Sequence, residues 1–81
     1  MNYQVYVTPD CHYCKEILRL FVRHGISHQL IVLEEEKDIA AIKNKYKWST
    51  VPIIVEATPD GERLVGGYED TYKLLKEQKI I

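Results

Sequence analysis

The chain has 81 residues and a mass of 9.5 kDa, which fits a single domain spanning residues 1–81, with about 60% of the unfolded surface available for burial. Hydrophobic residues make up 46% and charged residues 28%, a globular balance that excludes disorder and low complexity. A formal net charge of −1 offers no cationic field for nucleic acid or an anionic membrane, and no apolar run approaches the roughly 20 residues of a span, so the expectation is a soluble, cytoplasmic monomer.

Tyr3, Val5 and Val7 alternate with Gln4 and Tyr6 in residue types that favour strands, and Pro9-Asp10 ends a first strand running from Tyr3 to Thr8. From Cys14 the apolar positions Cys14, Ile17, Leu18, Phe21 and Val22 recur at helical spacing, with Lys15, Glu16, Arg19 and Arg23 on the other face. This predicts a first helix that Gly25 stops.

His28 to Leu33 is a nearly continuous apolar run, the pattern expected of a strand covered on both faces. Glu34, Glu35 and Glu36 then precede a weaker helical pattern carried by Ile39, Ile42 and Tyr46. The acidic run falls at the positive end of that second helix, where it complements the dipole.

Val51 to Val55 reads as a third strand with Pro52 near its start, where no ladder donor is needed. Pro59-Asp60-Gly61 is a turn into a short fourth strand, Arg63 to Val65, and the two make a hairpin. Gly66-Gly67 breaks that strand, and Tyr68, Tyr72, Leu74 and Leu75 mark a last helix to about Gln78. The order is β-α-β-α-β-β-α, an α/β fold with a four-stranded mixed sheet flanked by three helices.

The chemistry-bearing stretch is Cys11-His12-Tyr13-Cys14, where the first strand gives way to the first helix. Backbone N–H groups at a helix start have no intrahelical acceptor, and with the dipole they stabilise a thiolate there. Cys11 is therefore the expected nucleophile. Cys14, one turn on and on the same side, is close enough to form a disulfide with it. A permanent bridge across so short a loop adds little through loop entropy, which favours a redox role. A zinc site needs four ligands, and the chain has no second Cys-x-x-Cys or His-x-x-x-His pair to supply them.

Three motifs in order, Cys11-His12-Tyr13-Cys14, Thr50-Val51-Pro52 and Gly66-Gly67-Tyr68-Glu69-Asp70, resemble the active site, the cis-proline loop and the glutathione-binding turn of the glutaredoxin family. The resemblance spans nearly the whole chain and implies a thioredoxin-like fold and a thiol-disulfide oxidoreductase re-reduced by glutathione, with no metal. It implies attack by Cys11 and resolution by Cys14. It also implies a groove in which the loop Thr50, Val51 and Pro52 binds substrate, Val51 pairing with its backbone, while Gly67, Tyr68, Glu69 and Asp70 bind the γ-glutamyl end, Asp70 taking the α-amino group. Asp70 also reads as a helix N-cap. Implied partners are glutathione and disulfide-bearing proteins, ribonucleotide reductase among them.

Three positions modulate the site on this reading. His12 replaces the usual proline: as an imidazolium near Cys11 it would lower the Cys11 pKa and make the disulfide more oxidising, whereas as a solvent-facing first-turn residue it would do little. Tyr13 matches the family tyrosine that borders the groove. Thr8 stands where many relatives carry a lysine, and Lys43, Lys45 or Lys47 are the candidates for a replacement charge. Trp48 has no counterpart in the motif, and His24 and His28 are expected at the surface. Two other readings stay open: a reductant served by thioredoxin reductase, and a dimer that binds an iron-sulfur cluster through Cys11 and glutathione.

Overall fold

β1 (Asn2–Val7) lies inside the sheet of the computed structural model, which describes residues 2–81. The other elements are α1 (His12–Arg23), β2 (His28–Val32), α2 (Glu36–Tyr46), β3 (Ile53–Thr58), β4 (Gly61–Gly66) and α3 (Tyr68–Glu77). Strand order is β2-β1-β3-β4, with β1 parallel to β2, antiparallel to β3, and β3 antiparallel to β4. The predicted fold class and element order are those observed.

The period-two alternation of β1 divides the core. Tyr3, Val5 and Val7 face one side with Ile54, where Cys14, Ile17 and Phe21 of α1 and Leu75 of α3 close over them. Tyr6, Ile53, Val55 and Leu33 form the other cluster, against Ile39, Ile42 and Tyr46 of α2. Helices thus cover both faces, as successive strand side chains require.

Four expectations change in detail. The second strand is an edge strand, and Leu30 and Val32 are 48% and 49% exposed, because α1, the crossover from β1 to β2, packs its buried face over β1 and not over the edge. Val22, at the margin of α1, is 72% exposed for the same reason. The third strand begins at Ile53, so Val51 and Pro52 belong to the loop before it. The Val51–Pro52 peptide bond is cis, as the resemblance implies. His28 is half-buried, its ring 5.2 Å from that of Phe21 and its Nδ1 2.8 Å from the Ile26 carbonyl oxygen, so it is an inward-facing residue, unlike the exposed His24.

The predicted face of α3 also shifts. Thr71 and Leu75 are its buried positions, while Tyr72 points outward. The buried threonine is satisfied locally: its hydroxyl donates to the Gly67 carbonyl oxygen at 2.8 Å, so the polar group enters the core already paired.

Candidate active site

The sheet topology brings three distant stretches to one end of the molecule. β1 ends there, and antiparallel pairing of Tyr6 with Ile53 puts the start of β3 beside it. Ile54 pairs with Gly66, which adds the end of β4. The register shifts between Ile54 and Val55, whose partners are Gly66 and Leu64, so Val65 forms a bulge that turns the chain toward α3.

Cys11 is the N-cap of α1, in extended conformation, and the Cys14 N–H donates to its Sγ at 3.1 Å. One of the helix's free amides is thereby spent on sulfur. The two cysteines are joined as a disulfide, with Cα atoms 5.2 Å apart. Their environments differ sharply: Cys14 is 1% exposed and packs in the core, whereas Cys11 is only half-buried. Cys11 Sγ stands 3.8 Å from the Val51 carbonyl oxygen.

A groove of about 360 Å³ runs along the Val51–Pro52 loop, lined by Tyr13, Trp48, Thr50, Val51, Pro52, Gly67, Tyr68, Glu69 and Asp70. All seven residues expected to bind glutathione line it, and so does Tyr13. Thr8 and His12 do not. Thr8 is half-buried between β1 and Cys11, and His12 is exposed, its ring edge-on to Tyr13 at 5.4 Å. Tyr13 in turn lies 5.8 Å from Tyr68, and Tyr68 stacks on Tyr72 at 6.2 Å, so an aromatic wall borders one side of the groove.

The glycine turn is built by a single strained position. Gly66 has φ +127°, a region that residues with a Cβ rarely adopt. A Cβ there would lie 2.7 Å from Asp70 Oδ2. Gly67 has φ −96° and is the N-cap of α3, so Asp70 is not the cap: it sits three residues into the helix and reaches back to accept the Gly67 N–H at 3.2 Å. One carboxylate oxygen is engaged there, at the positive end of the α3 dipole. Gly67 faces the groove, where a Cβ would be 3.7 Å from both the Pro52 carbonyl oxygen and Trp48 Nε1.

Trp48 is the groove residue that sequence reasoning left unassigned. Its indole N–H is buried and has no hydrogen-bond partner among the described residues. The available signal was its place: the one tryptophan of the chain, in the polar stretch 47–50, two positions before Thr50. Trp48 and Thr50 also line a second, wider cleft of about 840 Å³ with Ala40, Lys43, Lys47 and Ser49. Of the three candidate lysines, Lys43 and Lys47 reach this cleft, while Lys45 lies over the Tyr46 ring at 5.1 Å. Among the described residues no group of three or more His, Cys, Asp or Glu side chains is placed to hold a metal.

The glutaredoxin family model matches residues 4–57, more than half of the chain. Among solved structures, glutaredoxin 1 from Francisella tularensis, in complex with cacodylate, superposes with a TM-score of 0.76 at 16% identity, covering 98% of this chain and 95% of that one. Wheat glutaredoxin superposes with a TM-score of 0.74 at 28% identity, covering 96% of this chain and 75% of that one. No curated protein sequence matches the chain.

Proposed function

The chain belongs to the glutaredoxin family and is a thiol-disulfide oxidoreductase, and from that premise we propose that glutathione is its reductant, Cys11 its nucleophile and Cys14 its resolving thiol. The observation that carries this assignment is the asymmetry of the pair. Cys14 is 1% exposed, so an incoming sulfur reaches Cys11 alone. In the reduced protein the Cys14 N–H and the start of α1 stabilise the Cys11 thiolate, which raises its fraction near neutral pH and improves it as a leaving group.

The groove supplies the partner. Glutathione lies along Val51, exchanging backbone hydrogen bonds with it as an added strand would. Its γ-glutamyl carboxylate meets the free N–H groups of Tyr68 and Glu69 at the start of α3, and its α-amino group meets the Asp70 carboxylate. Thr50, Pro52 and Gly67 shape the floor, and Tyr13 and Tyr68 the wall.

Turnover then follows from exchange chemistry. The Cys11 thiolate attacks the glutathione sulfur of a mixed disulfide, a new S–S bond forms, and the protein thiolate leaves and takes a proton from water. A second glutathione thiolate attacks the glutathione sulfur held on Cys11, which yields oxidised glutathione and restores the Cys11 thiolate. With a protein disulfide, Cys14 instead attacks Cys11 Sγ to release the reduced protein. Two glutathiones then reduce the Cys11–Cys14 bond, the first attacking the accessible Cys11. This cycle belongs to a reducing cytoplasm and needs only a monomer, with ribonucleotide reductase among the disulfide-bearing proteins it would serve.

The test is reduction of a glutathione mixed disulfide, coupled to glutathione reductase, in wild type, Cys11→Ser and Cys14→Ser. Cys11→Ser is expected to be inactive, and Cys14→Ser to keep the monothiol reaction. Activity in Cys11→Ser overturns the assignment of the nucleophile. A wild type inert with glutathione but turned over by thioredoxin reductase overturns the assignment of the reductant.

A further inference from the structure

We propose that the wide cleft beside the groove is a docking shelf for an acidic segment of a disulfide-bearing protein, so that the enzyme prefers substrate cysteines with Asp or Glu close by in sequence. The proposal rests on the reading of Cys11 as nucleophile and adds the chemistry of the protein it attacks.

The shelf is continuous with the substrate groove, since Trp48 and Thr50 line both clefts. A chain extended along Val51 passes Thr50 and arrives there. Its volume of about 840 Å³ is more than twice the 360 Å³ of the groove, room for side chains beyond the reacting cysteine. Its only charged lining residues are Lys43 and Lys47, and neither makes an ion pair among the described residues.

Basic residues at the end of α2 complement its dipole wherever they point. Position separates them further: Lys45 turns away over Tyr46, while Lys43 and Lys47 flank the shelf. Lys47 does so because it is the C-cap of α2 in left-handed conformation, φ 53°, which breaks the helical direction and sends the chain through Trp48 into the Pro52 loop. Two unpaired ammonium groups side by side on one open shelf attract carboxylates, an attraction that salt screens.

The reaction is the exchange already described. The Cys11 thiolate attacks one sulfur of the peptide disulfide, that S–S bond breaks, and the departing peptide thiolate is protonated by solvent. Cys14, after losing its proton to solvent, attacks Cys11 Sγ, forms the Cys11–Cys14 bond and releases the second peptide thiolate. The peptide gains two electrons and the enzyme dithiol loses them. The lysines take no part in these steps; they raise the encounter rate and hold the segment next to the groove.

The experiment is a single-turnover measurement with pre-reduced protein and no glutathione, followed through fluorescence of Trp48, the one tryptophan of the chain. Three peptides share an intramolecular disulfide and differ only in the residues flanking one cysteine: Glu, Gln or Lys. At low salt the Glu peptide is expected to react about tenfold faster than the Gln peptide, and the Lys peptide more slowly than either, with the spread collapsing above about 0.5 M salt. Lys43→Gln and Lys47→Gln are each expected to reduce the Glu-to-Gln ratio about threefold, and Lys45→Gln, with the same change in net charge, to leave it intact. Equal rates for the three peptides in wild type overturn the shelf. So does an equal loss of preference in Lys45→Gln, which assigns the effect to overall charge. Should the Lys43 and Lys47 variants keep the ratio and only weaken glutathione in a separate turnover assay, the cleft serves glutathione itself and the proposal falls. A wild type inert toward every peptide overturns both the shelf and the reading of Cys11 on which it rests.

Discussion

Cys11 Sγ and the Val51 carbonyl oxygen lie 3.8 Å apart although 40 residues of chain separate them. The contact joins the helix that activates the thiol to the loop whose backbone receives the substrate. It exists because β1 and β3 pair antiparallel through Tyr6 and Ile53, which puts the end of one strand beside the start of the other.

The Cys14 N–H bond to Cys11 Sγ sets the first prediction. In the reduced protein, thiolate absorbance at 240 nm is expected to show Cys11 titrating below the ordinary thiol value of about 8.5, with buried Cys14 titrating above it. Exposed His12 is screened by water, so His12→Gln is expected to move the Cys11 midpoint by less than about half a unit. A Cys11 midpoint at or above 8.5 would show that the helix start does not stabilise the thiolate.

The two glycines of the turn predict opposite phenotypes. Gly66→Ala forces a side chain into φ +127° and against Asp70 Oδ2. The expected cost is about 2 kcal/mol or more, with loss of the Asp70 bond to Gly67. Gly67→Ala meets nothing closer than 3.7 Å and is expected to cost under about 1 kcal/mol. Its methyl group projects between Trp48 and Pro52, so KM for the groove ligand rises while the fold survives. Urea midpoints and steady-state kinetics of the two variants separate these outcomes.

Thr71→Val removes the buried hydroxyl that donates to the Gly67 carbonyl oxygen at 2.8 Å. That carbonyl keeps its bond from the Thr71 N–H at 3.1 Å, so no backbone acceptor is orphaned. The expected loss is about 1 kcal/mol, visible as a lower urea midpoint at unchanged slope. A loss above about 3 kcal/mol would mean that the hydroxyl does more than pair locally.

Tyr46 donates to Glu62 Oε2 at 2.5 Å, and its pKa is raised from the ordinary 10.0, first by burial and then by that hydrogen bond to Glu62. Raising the folded pKa favours the neutral phenol in the native state. Stability from this group is complete below pH 10, and it declines as the pH climbs from there toward the folded pKa, because the unfolded tyrosine ionises first. Wild type is therefore expected to lose stability more steeply above pH 10 than Tyr46→Phe does. Denaturant titrations at pH 9 and pH 10.5 on both proteins measure it, and parallel losses would remove Tyr46 from the account.

Much of this was legible in local patterns. Period-two and helical spacing placed each element to within a few residues, and Pro59-Asp60-Gly61 placed the hairpin, because backbone geometry imposes those periods directly. The site motifs were legible as well, since each depends on a residue type with a special conformation or reactivity at a fixed offset. Errors fell where apolarity alone was read as burial. Leu30, Val32 and Tyr72 are exposed and Thr71 is buried, because which side of a helix or strand is covered depends on its neighbours.

By itself, then, the sequence determined the order of strands and helices, the seating of Cys11 and Cys14 at a helix start, and the glycine turn at Gly66. Tertiary structure alone decided that β2 is an edge, that Asp70 reaches back to Gly67 and does not cap the helix, and that Trp48 joins two clefts with Lys43 and Lys47 on the outer one. The physical reason is range. Dihedral preferences and hydrophobic periods act within a few residues, whereas burial, clefts and the meeting of Cys11 with Val51 come from strand pairing, which couples residues dozens of positions apart.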